Sequence, residues 1–139
     1  MPEDQQPQWQ PLSRLPLVAS LIDGALAETQ EQYRTLLEAK PRPHVLDDYT
    51  VERVTKVYGD QPKDVALYAE QLARWATETS TAAQHQEVMR LQAQIKKLGE
   101  VTAALLCLAE DLKARTIDRQ MEKTDLEGGL EFLQGKWRP

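Results

Sequence analysis

The feature that most constrains this chain is a run of apolar residues in heptad register over residues 88–112. Residues separated by three and four positions lie on one side of an α-helix and form a seam against other helices. Continued to Met121, this pattern predicts one helix of about 50 Å at the α-helical rise. The seam positions are Val88, Leu91, Ile95, Leu98, Thr102, Leu105, Ala109 and Leu112.

A second amphipathic stripe predicts a helix over residues 17–40, with Ser13 as a candidate cap and Pro16 near its first turn. Pro41 ends this helix, because proline lacks a backbone N–H group and clashes with the preceding turn.

Residues 49–58 fit either a short helix or a strand. Helical spacing places Val51, Val54 and Tyr58 on one face, while the Thr, Val and Tyr content favours a strand. The sequence offers no second strand, and a lone strand would leave its backbone groups unpaired. We therefore favour a helix that ends at Gly59, a residue common after helix C-termini.

Apolar spacing from Val65 to Ala82 predicts another helix, with Trp75 on its buried face. The hydroxyl-rich residues 77–86 weaken this pattern, and the seam of residues 88–112 is out of phase with it. Residues 77–86 are thus compatible with a turn, a kink or a straight helix, and two helices or one bent helix are favoured.

The two ends of the chain differ from its centre. Residues 1–16 are rich in proline and glutamine and predict a flexible arm, with Trp9 either docked on the folded part or free. Residues 17–123 form the predicted helical domain. Residues 124–139 carry Phe132 and Trp137 and predict a tail that packs on the bundle or on a partner. The expected fold class is all-α: an elongated bundle of three to five helices.

Few residues could support catalysis. His44 and His85 lie on different predicted elements, and neither has a His or Cys partner at metal-ligand spacing. Cys107 lies in apolar sequence without a basic neighbour, which predicts a buried, unreactive thiol. Phosphate-binding glycine loops and Glu-x-x-His pairs do not occur in the sequence. We therefore predict a protein that is not an enzyme and has no cofactor.

Net charge and hydropathy restrict the partners and the location. The charge of −5 disfavours nonspecific contact with nucleic acid or an anionic membrane. The start of the chain lacks the basic region and apolar run of a signal peptide, and no apolar run is long enough for a membrane helix. We predict a cytoplasmic location.

The alternative function that we consider is an accessory nucleic-acid-binding or regulatory protein. Arg115, Arg119 and Lys123 are spaced by four and lie on one stripe, where repelling like charges sometimes mark an anion site. Acidic residues interleave with this stripe, and basic residues also favour helix C-termini. A helix-turn-helix over residues 48–76 would present too few base-reading side chains at its second helix.

The favoured function is protein–protein association, first with a second copy of the chain. Residues 101–109 are apolar nearly all round, and such a helix is buried on several sides. We therefore predict a homodimer with residues 101–112 in or near the interface. The predicted association residues are Leu98, Leu105, Leu108 and Leu112, with Phe132 and Trp137 as a latch.

Overall fold

The computed structural model describes residues 8–42 and 47–115, and all regular structure within them is helical. This confirms the all-α prediction. A 3₁₀ turn, Leu12–Arg14, leads into α1 (Leu15–Ala39). The helices that follow are α2 (Asp48–Tyr58), α3 (Gln61–Ala76) and α4 (Ala82–Lys113).

Two side-chain caps fix the helix starts that the sequence left open. The Asp47 carboxylate accepts the Thr50 backbone N–H at 2.7 Å, so residues 49–58 continue as a helix and not as a strand. The Thr81 hydroxyl accepts the Gln84 N–H at 3.1 Å and starts α4. Residues 77–81 therefore separate two helices, which resolves the three alternatives for this segment.

The start of α1 differs from the sequence prediction. The helix begins at Leu15, with Pro16 in its first turn, while Ser13 belongs to the preceding 3₁₀ turn. Arg14 occupies the position before the helix and makes no side-chain capping bond. Because proline needs no N–H acceptor, Pro16 fits the first turn without a cap from Ser13.

Gly59 sits at the break between α2 and α3, with a right-handed φ of −63°. A Cβ atom at this position would lie 2.6 Å from the Thr55 carbonyl oxygen, closer than side chains tolerate. Glycine is therefore needed for this close approach, and not for a left-handed conformation. The break lets α2 and α3 follow α4 as two consecutive helices.

The long helix α4 contacts all three other helices. Helix α1 runs in the same direction, since Asp23 bonds Arg90 near one end and Leu36 packs with Leu108 near the other. Helices α2 and α3 run in the opposite direction along α4. Gly99 permits this approach, because a Cβ there would already lie 3.4 Å from Val65 Cγ1.

Two separate apolar clusters form the core. The first, here called the Trp75 cluster, joins α1, α3 and the first half of α4. The second, here called the Tyr58 cluster, joins the end of α1, α2 and the second half of α4. The Trp75 cluster comprises Leu15, Val18, Ala19, Ile22, Leu26, Leu72, Trp75, Val88, Leu91, Ile95 and Leu98. The Tyr58 cluster comprises Leu36, Val51, Val54, Tyr58, Leu105, Leu108, Ala109 and Leu112.

A polar layer lies between the two clusters. Gln61 Nε2 donates to the Thr29 hydroxyl at 3.0 Å and to the Thr102 hydroxyl at 2.7 Å. Each hydroxyl also donates to a carbonyl one turn earlier in its own helix, so both threonines are fully buried and bonded. One residue at the start of α3 thereby links α1 to α4.

The predicted arm, residues 1–16, is described from Gln8 onwards. Gln10 bonds α3, and the 3₁₀ turn and the first turn of α1 complete this segment. The predicted tail, residues 124–139, and the end of the predicted 17–123 domain lie outside the described residues. Those domain boundaries stay predictions.

Candidate functional site

The predicted association leucines of α4 point into the interior of the chain. Leu98, Leu105 and Leu112 are at most 1% exposed, and Leu108 is 8% exposed. Leu98 belongs to the Trp75 cluster and the other three belong to the Tyr58 cluster. In this conformation they pack against helices of the same chain. Phe132 and Trp137, the predicted latch, lie outside the described residues.

The prediction of a buried thiol is wrong, because Cys107 is exposed. The apolar stretch 101–109 is covered on one side only. Leu105, Leu108 and Ala109 are buried, whereas Ala103 and Cys107 face outward. Both outward residues are small, so little apolar surface remains uncovered where the sequence suggested burial on several sides.

The basic stripe is described only at its first member. Arg115 forms an ion pair with Asp111, one turn earlier in the chain. This partner reduces the charge that Arg115 could offer to an anion. Arg119 and Lys123 lie outside the described residues, and the proposed anion contact stays a prediction.

Metal-ligating side chains do not gather in groups of three or more within residues 8–42 and 47–115. His85 is exposed on the first turn of α4, and His44 falls outside the described part.

The outer face of α2 carries the most exposed large apolar side chains of the described chain. Tyr49 is 70% exposed and Val57 is 58% exposed. Arg53 lies between them at four-residue spacing, so the three side chains form one stripe opposite the buried face of α2. Glu52 and Lys56 flank this stripe, and we call these five residues the α2 surface.

Two adjoining cavities open at the α2 surface. One, of about 420 Å³, is lined by all five residues of that surface. The other, of about 310 Å³, lies between α1 and α2, and the two cavities share Arg53 and Val57. The lining of the second is Glu28, Gln32, Thr50, Arg53, Val54, Val57 and Tyr58. Together they form a groove with an apolar floor and walls of both charge signs.

Burial and hydrogen bonding set the charge of two groups here, the Tyr58 phenol in the groove floor and the Asp47 carboxyl group at the start of α2. Burial, aided by the Glu28 carboxylate, raises the pKa of the Tyr58 phenol above its ordinary value. The hydrogen bond from Thr50 lowers the pKa of the Asp47 carboxyl group, so the cap stays ionised. The neutral Tyr58 phenol therefore suits the groove floor to apolar contact.

Sequence reasoning did not identify the α2 surface. It placed Val51, Val54 and Tyr58 on one buried face, which the structure confirms. The spacing of positions 49, 53 and 57 also predicts a second face of the helix. With a strand as the competing interpretation, the sequence analysis did not consider this face. An 11-residue helix that packs on one face leaves its other apolar residues in solvent.

A second feature is the docking of the amino-terminal segment on α3. The Gln71 amide makes two hydrogen bonds with the backbone of Gln10, and Trp75 Nε1 donates to the Gln10 carbonyl at 2.9 Å. The Arg74 guanidinium lies 4.3 Å from the centre of the Trp9 ring. Of the two alternatives for Trp9, the structure shows the docked one.

Comparison with known proteins gives no relative from which to transfer a function: protein-family models, curated proteins and solved structures all return no match. Among the described helices, none combines the length and apolarity that crossing a membrane requires.

Proposed function

We propose that this chain is a non-enzymatic helical protein that acts through protein–protein association, first with a second copy of itself. The observation that carries the proposal is the α2 surface. An aromatic, an arginine and a branched apolar residue share one exposed stripe beside two adjoining cavities. Tyrosine and arginine are enriched among the residues that dominate binding energy at protein interfaces.

The α2 surface is self-complementary in an antiparallel arrangement. A two-fold axis through Arg53 would place Tyr49 of each copy opposite Val57 of the other, since both lie four residues from the axis. Each Arg53 would then lie near the Glu52 of the other copy, so charges of opposite sign offset the close approach of the two arginines. A two-fold contact uses the same patch on both copies, and this patch supplies both halves of each pairing.

The buried leucines of α4 have a supporting role in this proposal. Leu105, Leu108 and Leu112 form the surface on which Val51, Val54 and Tyr58 pack. That packing fixes the orientation of α2, and with it the direction in which Tyr49 and Val57 point. The buried leucines of α4 thus fix the orientation of the α2 surface.

The free energy available to this contact is small. Full burial of one large apolar side chain contributes roughly 1.5–3 kcal/mol, and association opposes this with the loss of translational and rotational freedom. We therefore expect a dimer whose population depends on protein concentration and changes little with salt.

The test is solution mass by light scattering on a sizing column, over a series of concentrations at low and high salt. The wild-type chain should approach twice 15.8 kDa as concentration rises. Tyr49→Glu should remain monomeric, while an acidic side chain in the first turn still favours the helix. Met89→Glu is the matched control, since Met89 is 56% exposed on α4. A wild-type monomer at all concentrations, or a dimer unaffected by Tyr49→Glu, would contradict the proposal.

A further inference from the structure

The amino-terminal segment is held on α3 through its backbone. Gln71 Oε1 accepts the Gln10 N–H at 2.7 Å, and Gln71 Nε2 donates to the Gln10 carbonyl at 3.3 Å. The same carbonyl accepts the indole N–H of Trp75. With the segment in place, Gln71 is 6% exposed and Trp75 is fully buried, and both side chains project from consecutive turns of α3. Such a pair recognises an extended backbone and not the side chain at position 10.

The neighbouring positions add side-chain preferences. Trp9 packs against the guanidinium of Arg74, a contact that only an aromatic ring can make. Pro11 has φ −67° and ψ 155°, the extended conformation that proline adopts most readily. Leu12 packs against the Trp75 cluster. By contrast, the Gln10 side chain is exposed and bonds only the Gln8 carbonyl.

The chain's own segment leaves part of the groove empty. A cavity of about 180 Å³ remains between α1 and α3, lined by Val18, Leu67 and Tyr68 beside residues 8–10 and Gln71. Gln8, a polar residue that neither Gln71 nor Trp75 bonds, borders this largely apolar space beside Trp9 and Gln10. A ligand with an apolar side chain at that position would fill the space and bury more apolar surface.

We infer that the groove between α1 and α3 is a recognition site for an extended aromatic–x–Pro–apolar segment of a partner protein. Residues 9–12 of this chain occupy the site as a competing internal ligand. No residue of the three-residue 3₁₀ turn before α1 is fully buried, so release of the segment breaks its bonds to Gln71 and Trp75 and its Leu12 contact but withdraws no fully buried side chain. A partner segment would bind more tightly than residues 9–12, because the apolar side chain before its aromatic residue fills the cavity that Gln8 borders. The site is distinct from the α2 surface, and either can exist without the other.

The probe is a fluorescein-labelled peptide with the sequence of residues 6–14 and the change Gln8→Leu. Binding is measured by fluorescence anisotropy on full-length proteins. The Trp9→Ala chain should bind this peptide about tenfold more tightly than the wild-type chain, because its internal competitor is weakened. A peptide carrying Trp9→Ala or Pro11→Ala should lose about tenfold in affinity, and a peptide carrying Gln10→Ala should lose none.

The clamp itself is tested with Gln71→Leu on the Trp9→Ala background. Leucine is close to glutamine in volume, and helicity and melting temperature verify that the fold is retained. Loss of peptide binding with retained fold supports the inference. Absence of saturable binding to the Trp9→Ala chain, or binding that Gln71→Leu leaves unchanged, overturns it.

Two further measurements separate this inference from the proposed function. Tyr49→Glu should leave peptide affinity unchanged while it abolishes the dimer, so each can fail alone. A photo-crosslinker in place of Gln8, in a mixture of isotopically light and heavy chains, should give adducts within one chain on residues 67–71. Adducts between chains would identify a second copy as the occupant and overturn the assignment to a partner protein.

Discussion

The Trp75 cluster and the Tyr58 cluster are built on the same helix, α4, but they are enclosed very differently. Around Trp75, the 16-residue α3 and the longer part of α1 pack on α4, and the amino-terminal segment adds bonds from outside. Around Tyr58, the 11-residue α2 and the end of α1 are the parts of the described chain that cover α4.

This difference in enclosure underlies the two interaction sites that we propose. In the described chain, the better enclosed half carries the groove between α1 and α3 that residues 9–12 occupy. The less enclosed half leaves the outer side of its short helix in solvent, with Tyr49 and Val57 on it. The more enclosed cluster and the proposed dimer surface thus lie at opposite ends of α4.

The largest expected effect comes from a matched pair of substitutions on α4. Leu91→Ala lies in the Trp75 cluster and Leu105→Ala lies in the Tyr58 cluster, and both leucines are fully buried. Each should lower the free energy of unfolding by about 2–5 kcal/mol, because each creates a cavity. Urea denaturation measures this loss.

Hydrogen exchange on the same two variants decides whether the halves differ in local stability. Leu105→Ala should release the α2 amides at residues 51–58 well before the rest of the chain, because few contacts hold the short helix. Leu91→Ala should lower the protection of α1, α3 and α4 together. Equal protection of α2 in the two variants would show that the clusters unfold as a single unit, and the comparison would fail.

The polar layer between the clusters offers the next effect in size. The double variant Thr29→Val/Thr102→Val removes both acceptors of the Gln61 amide, and we expect a loss of about 1–3 kcal/mol from the unpaired donor. Adding Gln61→Leu should restore most of that stability, because an apolar layer has no unpaired group. Urea denaturation of the double and triple variants measures both. A triple variant no more stable than the double variant would rule out this explanation.

The sequence predicted those parts of the fold that depend on periodicity within one helix. The buried faces of α1, α2, α3 and α4 follow three-and-four spacing, and Trp75 and the α4 seam are buried as expected. The sequence did not predict contacts between residues that are far apart along the chain. The bonds of Gln61 to Thr29 and Thr102, and of Gln71 to Gln10, join positions 32, 41 and 61 residues apart.

The candidate sites were harder to predict for a related reason. Periodicity shows that a residue is apolar and on a given face, but it does not show how much cover the other helices provide. Leu105 and Cys107 lie in the same apolar stretch, and one is fully buried while the other is exposed. The α2 surface likewise depends on the absence of a helix over Tyr49 in the described part of the chain.

The smallest expected effect is the pH dependence of the Asp23–Arg90 pair, which lies beside the Trp75 cluster. Asp23 accepts two hydrogen bonds from Arg90 and one from Gln94, which ties α1 to α4 beside the Trp75 cluster. The bonds from Arg90 lower the pKa of the Asp23 carboxyl group below its ordinary value. Because the pKa is lowered in the folded state, the stabilisation is complete above the ordinary pKa and is lost as pH falls through the folded value. The pair is about two-fifths exposed, so its contribution should stay under about 1 kcal/mol.

Unfolding in urea between about pH 6 and pH 2.5 brackets the titration of an aspartate whose pKa is lowered. Asp23→Asn and Arg90→Leu should both reduce the fall in stability across this range. Arg90→Leu should have the larger effect, since it also removes the ion pair with Glu87. In the wild-type chain the amides of α1 and of the first half of α4 should lose protection with acid, and Asp23→Asn should remove this loss. The Asp47 cap gives α2 an acid sensitivity of its own, which Asp23→Asn should leave unchanged. If acid instead weakened both clusters equally and neither substitution changed the slope, the Asp23–Arg90 pair would contribute nothing measurable, and packing alone would distinguish the two halves.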